Sequence, residues 1–377
     1  RYTGVYTPTE DGPYLFVASA TGQDRFELQV EGKTVLQQKL REGHAPLTAT
    51  LPLHANQPVH FTLIYHPWAS NQTLGFGIRS EHDLIDANTR KIAASADAVI
   101  LSVGFGPATE SEGFDRTFDL PFGQNALIQT VSALNKHTIV VLTAGGAADA
   151  QSWINSVPAL LHNYYPGQAG GTALAEVLFG RRSPEGRLPF SYDRSWATDP
   201  DHNTYYPAGY PDAPPDAHGN ITVHYTEGLF NGYRYYTSEN LTPDQQPLYP
   251  FGFGLTYTTF SYSNIKTSVE GHGDNTRVLV SLDVTNTGHR AGSDVVQLYI
   301  GDPSAKVKRP TKELKGFARI NLQPSATQRV QFHLTSQDLA YYSVAKHGWQ
   351  VDPGQFKAYA GGNSAQTPEV ADFTVAP

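Results

Sequence analysis

The sequence predicts a multidomain chain of the α/β plus all-β class: an α/β sandwich with a mostly parallel sheet, flanked by two β-sandwiches. Three observations carry this expectation. Residues 1–80 alternate apolar and polar side chains with period two, the mark of half-buried strands. Beyond residue 83, short continuous apolar runs alternate with helix-like segments, which implies parallel strands covered on both faces. After Phe260 the period-two alternation returns over about 110 residues, the size of one antiparallel sandwich.

In the first segment, strands are expected at Tyr14-Leu15-Phe16-Val17, at Phe26 to Glu31 and at His60 to Tyr65, with turns at Glu10-Asp11-Gly12 and Glu31-Gly32-Lys33. A domain at 83–246 follows. Its expected order is a helix over Asp86 to Ala96, a strand over Ala98 to Val103, a helix over Gln124 to Leu134 and a strand over Thr138 to Leu142. A third strand starts at Ala159 and a helix spans Gly171 to Phe179. From Asp193 to Gln246 the chain is rich in Pro, Tyr, Gly and Asp with weak periodicity, and a loop of that length is commonly functional. Within it, residues 197–225 are expected to cover a cleft or reach a neighbouring protomer. The last domain, 247–377, contributes strands at Arg277 to Val284 and Val295 to Ile300.

Composition narrows the function. With 377 residues the chain has room for two or three domains. A net charge of −8 argues against nucleic acid, whose phosphates require a basic face. No apolar run of about 18 residues occurs, so no membrane-crossing helix is predicted. Cysteine is absent, which removes disulfides, thiolate metal sites and a Cys nucleophile. The chain starts at Arg1, which reads as the edge of a truncation or a proteolytic nick.

The segment from Val103 through Gly104, Gly106, Glu110, Ser111, Glu112, Gly113 and Phe114 to Asp115 and Arg116 is the richest in chemistry. It follows an apolar parallel strand, so it lies at the carboxyl end of the sheet, where ligand sites of open α/β sheets gather. Two readings stand on spacing alone: an acid site, or a solvated acidic loop in which Asp115 and Arg116 pair for structural support. A dinucleotide reading of Gly104-Phe105-Gly106 fails, because the third glycine is missing and no helix starts directly after the loop.

The pattern Glu112-Gly113-Phe114-Asp115-Arg116 resembles the acid/base loop of family 3 glycoside hydrolases. Further matches follow in order: Asn163 to Leu174, Phe179 to Pro189, Tyr225-Thr226-Glu227-Gly228, Gly232 to Tyr236, Tyr249 to Tyr257, Asn286 to Gly292 and Lys312 to Phe317. The resemblance covers about residues 83–377. It implies that the last sandwich is fibronectin type III-like. The 1–80 module is similar to the protective-antigen-type β-sandwich that some members insert, on Tyr2 to Tyr6 and Gln23 to Leu28. Sugar-binding relatives of that module hold calcium with paired aspartates; Gln23-Asp24 breaks the pair, so neither calcium nor lectin activity is expected.

The family chemistry implied is retaining hydrolysis by an exo-acting β-glycosidase, with two carboxyl groups about 5–5.5 Å apart. One attacks the anomeric carbon; the other protonates the leaving oxygen. The resemblance assigns the acid/base role to Glu112 first and Glu110 second, with Asp115 and Arg116 in support. The nucleophile is implied to be an aspartate on an amino-terminal (β/α)8 barrel, and no matching motif is found in these residues. The chain alone is therefore expected to be inactive, with the barrel as its partner. A β-linked oligosaccharide or aryl glycoside is the implied substrate, β-glucosides ahead of β-xylosides. No metal and no cofactor are called for, and a homodimer and a secreted or periplasmic location are expectations from the resemblance. A non-catalytic carbohydrate-binding or scaffolding role is the alternative.

Other features weigh less. Asp149 after Gly145-Gly146 suits a turn or a helix cap. His54, His60 and His66 have no metal-ligand spacing. His162, Tyr164 and Tyr165 follow a strand and suit either a sugar site or core packing. Asn71, Asn220 and Asn240 begin glycosylation sequons.

Overall fold

The alternating residues of the amino-terminal segment build two facing antiparallel sheets. A computed structural model describes residues 1–20, 24–38, 46–67, 73–107, 109–112, 116–206, 214–238 and 240–377. Strands β1 (Tyr2–Tyr6), β2 (Gly12–Ala20), β3 (Arg25–Val30), β4 (Lys33–Gln38), β5 (Leu47–Leu53), β6 (Val59–His66) and β7 (Leu74–Ser80) divide between two sheets. One has the order β1-β6-β3-β4 and the other β5-β2-β7. Phe26, Leu28 and Val30, alternate residues of β3, are buried in one core with Tyr14, Phe16 and Ala18 of β2. The two-residue loop Glu31-Gly32 joins β3 to β4 with φ of 50° and 75°. A primed hairpin turn requires such positive values, and glycine meets them without strain. Asp24 is fully buried and accepts a hydrogen bond from Tyr65, whose hydroxyl burial and that bond push up to about 12. Its carboxylate is thus engaged inside the sandwich, and Gln23 lies outside the described residues.

The next elements form a three-stranded parallel sheet. Asp86 caps α1 (Ala87–Ser95) by accepting from the Thr89 amide at 2.9 Å, which satisfies one of the free N–H groups of the first turn. Strands β8 (Val99–Gly104), β9 (Thr138–Thr143) and β10 (Ala159–His162) pair in the order β10-β9-β8, and α2 (Gln124–Leu134) runs between β8 and β9. Asn135, at the end of α2, donates to the carbonyls of Ala93 and Ala96 and so ties α2 to α1. Trp153 is buried and its indole N–H donates to Asn125 at 2.9 Å. Central strand β9 is enclosed as expected, with Val140, Val141 and Leu142 buried. Edge strand β8 differs: Ile100 is 54% exposed, so its apolar run does not signify cover on both faces among the described residues.

Contacts group the chain into two units, residues 1–166 with 203–224, and residues 167–202 with 225–377. The first holds the amino-terminal sandwich and the parallel sheet. The second holds α3 (Gly170–Leu178), α4 (Tyr233–Tyr236) and a carboxy-terminal sandwich. That sandwich comprises β11 (Phe260–Glu270), β12 (Arg277–Asn286), β13 (Gly292–Gly301), β14 (Glu313–Leu322) and β15 (Thr327–Thr335). The hairpin of β16 (Tyr341–Ser343) and β17 (Gly348–Gln350) precedes β18 (Gly354–Gly361) and β19 (Glu369–Val375). The facing sheets have orders β11-β12-β15 and β14-β13-β18-β19. Val278, Val280, Leu282 and Val284, alternate residues of β12, share one core with Val296, Leu298 and Ile300 of β13. The segment before the sandwich is anchored to it: buried Arg187 pairs with Asp294 at 2.7 Å, and Tyr262 also donates to that carboxylate. Residues 207–213 of the long Pro- and Tyr-rich segment lie outside the described residues, and its carboxyl half contains α4.

Candidate active site

Three parallel strands end side by side, and the segments that leave them converge on one carboxylate, Glu110. Strand β8 ends at Gly104, whose φ is +133°, and a Cβ there would collide with the Thr143 backbone. Glycine is therefore required for β8 to stay paired with β9 up to the turn. The Gln124 side chain, at the start of α2, bonds both backbone groups of Gly104, at 2.7 and 2.9 Å. Beyond it the loop closes on itself: Thr109 and Glu110 both donate their amides to the Gly106 carbonyl.

This fold brings Glu110, Arg116, Gly145, Gly146, His162 and Tyr165 together. Tyr165 donates its hydroxyl to Glu110 Oε2 at 2.6 Å, the Gly145 amide approaches the same oxygen at 3.3 Å, and Arg116 Nε lies 3.4 Å from Oε1. A Cβ at Gly145 would stand 2.5 Å from Glu110 Oε1, so a side chain there would displace the carboxylate. Arg116 also donates to the carbonyls of Ala147 and Thr117, and its guanidinium lies over the Phe105 ring at 4.7 Å. The Tyr165 hydroxyl is pushed up to about 12 by burial and then by Glu110, so it remains a donor across any working pH. Burial lowers His162 first and Arg116 adds to this, outweighing the bond to the Ala144 carbonyl and the pull of Glu110; the imidazole is neutral at neutral pH.

Glu112 occupies a turn two residues later and is exposed. Asp115 lies outside the described residues. Of the four site residues expected from sequence, Glu110 and Arg116 are thus brought together as an ion pair, and Glu112 projects beside them in the chain. Asp149 plays the turn role, accepting from the Gln151 amide at 2.9 Å. With Asp149 nearby, burial raises the Asp119 carboxyl above the ordinary range. Sequence reasoning missed the Tyr165 to Glu110 bond and the need for Gly145; the Gly145-Gly146 pair directly after β9 was the available signal. Among the described residues no three His, Asp or Glu side chains come together as a metal-binding group.

The family model for the glycosyl hydrolase family 3 C-terminal domain matches residues 19–257. The chain belongs to glycoside hydrolase family 3. A second match, to a fibronectin type III-like domain, covers residues 294–364 and falls on the carboxy-terminal sandwich. The thermostable β-glucosidase B of Acetivibrio thermocellus is 38% identical over 293 residues, 76% of this chain and 37% of that protein. A β-glucosidase of Rhizobium radiobacter is 36% identical over 374 residues, 95% of this chain and 44% of that protein. The crystal structure of the Kluyveromyces marxianus β-glucosidase in complex with glucose superimposes with a TM-score of 0.69 at 29% identity, over 100% of this chain and 44% of that one. The chain thus spans less than half the length of these family 3 relatives.

Proposed function

We propose that this family 3 chain supplies the general acid/base of a retaining, exo-acting β-glycosidase, with Glu112 in that role and β-glucosides as substrates ahead of β-xylosides. The nucleophile is an aspartate on an amino-terminal (β/α)8 barrel, the partner that completes the site. In the first half-reaction the nucleophile bonds to the anomeric carbon as Glu112 gives its proton to the departing oxygen. In the second, Glu112 takes a proton from water, which displaces the enzyme carboxylate from the sugar.

The observation that carries the assignment is the contrast between the two glutamates. Glu110 is occupied by an arginine, a tyrosine hydroxyl and a backbone amide, which tie its carboxylate into the fold. Glu112 is exposed on the same loop. A proton donor must reach substrate and exchange its proton each cycle, which suits Glu112. Arg116 supports the loop through Glu110, and the supporting role of Asp115 rests on the family resemblance alone. Mixing this chain with the barrel and assaying aryl β-glucoside and β-xyloside tests the reading. Activity is expected only from the pair, with the glucoside turned over faster; activity from this chain alone would defeat it.

A further inference from the structure

We propose that Tyr165 is a positioning residue for the acid: by holding Glu110 it fixes the loop that presents Glu112. The inference rests on the acid/base reading of Glu112.

The segments after all three strands meet at the Glu110 carboxylate. The β8 segment contributes Glu110 itself, the β9 segment contributes the Gly145 amide, and the β10 segment contributes Tyr165. Tyr165 reaches it because the chain turns sharply at Tyr164, whose φ of 48° is unusual for a residue with a Cβ. Such local strain persists only where surrounding contacts hold it. The Tyr164 ring packs edge-on against His162 at 4.2 Å, which secures the turn. Glu110 in turn cannot leave without breaking the Arg116 ion pair, and both side chains are about one-fifth exposed (21% and 18%). A charge-assisted bond from a tyrosine hydroxyl to a carboxylate is among the stronger neutral-donor hydrogen bonds, so its loss loosens the loop even with the Arg116 pair in place.

Two residues of extended chain span at most about 7 Å, so a displaced Glu110 carries Glu112 with it. A misplacement of about 1 Å can cost up to a hundredfold in rate. The cost falls on steps that need the acid. In the first half-reaction, leaving groups that depart unaided do not feel it.

The test has two arms. In this chain alone, amide hydrogen exchange is compared between wild type and Tyr165→Phe. The amides of Thr109, Glu110 and Gly145 are expected to exchange about tenfold faster in the variant, with the β9 core amides unchanged. Unchanged exchange at all three would overturn the clamp, and so would faster exchange throughout the sheet.

In the active assembly with the barrel, Tyr165→Phe is expected to lower kcat/KM about tenfold on a phenyl glucoside and less than twofold on a dinitrophenyl glucoside, with Glu112→Ala run in parallel. Equal losses on both substrates for Tyr165→Phe, beside a selective loss for Glu112→Ala, would sink the positioning role and leave the acid assignment standing. A non-selective loss for Glu112→Ala would instead remove the acid assignment on which this rests.

Discussion

Replacing Asp193 by asparagine should remove a pH-dependent loss of stability. Asp193 and Asp199 share a hydrogen bond, and Tyr236 donates to Asp193 Oδ1 at 2.6 Å. Burial, reinforced by Asp199, outweighs the Tyr236 bond and raises the Asp193 carboxyl to about 7. An unfolded aspartate titrates near 3.9, so between about pH 4 and pH 7 the folded chain keeps a proton that the unfolded chain has released. Stability therefore falls as pH rises through that window. A gap of about three pH units sets a ceiling of about 4 kcal/mol. Both carboxyls retain some access to water and share the penalty, which brings the expectation to about 2 kcal/mol. The asparagine side chain would accept from Tyr236 and donate to Asp199, as the protonated acid does. Thermal melts at pH 5 and pH 8 are the assay. About two-thirds of that window lies above pH 5, so about 1.3 kcal/mol, a drop of roughly 3–5 °C, is expected for wild type between the two, with Asp193→Asn losing markedly less and melting higher at pH 8. A variant that keeps the full wild-type pH dependence, or is the less stable protein at pH 8, would refute this linkage.

The remaining predictions concern packing and the site scaffold. Lys312 is buried, donates to Thr367 and faces the Tyr299 and Tyr359 rings, and burial lowers its amine to about 8. The folded chain then holds fewer protons than the unfolded chain between about pH 8 and pH 10.4, so stability should rise with pH there, and melts of Lys312→Met should show that rise abolished. Gly145→Ala should push aside the Glu110 carboxylate and speed amide exchange of Thr109 and Glu110 in the β8 loop, while far-ultraviolet circular dichroism stays unchanged. Trp153→Ala should cost about 3–5 kcal/mol in denaturant unfolding, because it empties a buried site and strands the Asn125 acceptor.

The fold was legible where a single periodicity dominated. Phe26, Leu28 and Val30 alternate cleanly and sit where a strand facing a core requires. The apolar run at β9 likewise reads directly as an enclosed parallel strand. The run at β8 reads the same way yet leaves Ile100 exposed, since apolar composition records what a strand can bury and not what covers it. At the site, the glutamates and arginine stood out by charge density. Tyr165 did not, because its partner is 55 residues away and tyrosines are abundant in this chain, 21 in all. Long-range side-chain bonds leave no periodic trace. The half-buried carboxyls of Asp193 and Asp199 were hidden for a related reason: they lie in a segment without regular alternation, where sequence gives no sign of burial.

Azide rescue tests the central claim most directly. In the assembly of this chain with the proposed amino-terminal barrel, Glu112→Ala and Glu110→Ala are each given an activated dinitrophenyl β-glucoside, with and without sodium azide. Removing a general acid/base costs about 10²–10⁴-fold, and here that loss falls on the second half-reaction, which azide performs without base assistance. Azide is expected to restore turnover of Glu112→Ala and yield the β-glucosyl azide, while Glu110→Ala gives none. The azide product from Glu110→Ala, with Glu112→Ala unresponsive, would reverse the two roles and contradict the account.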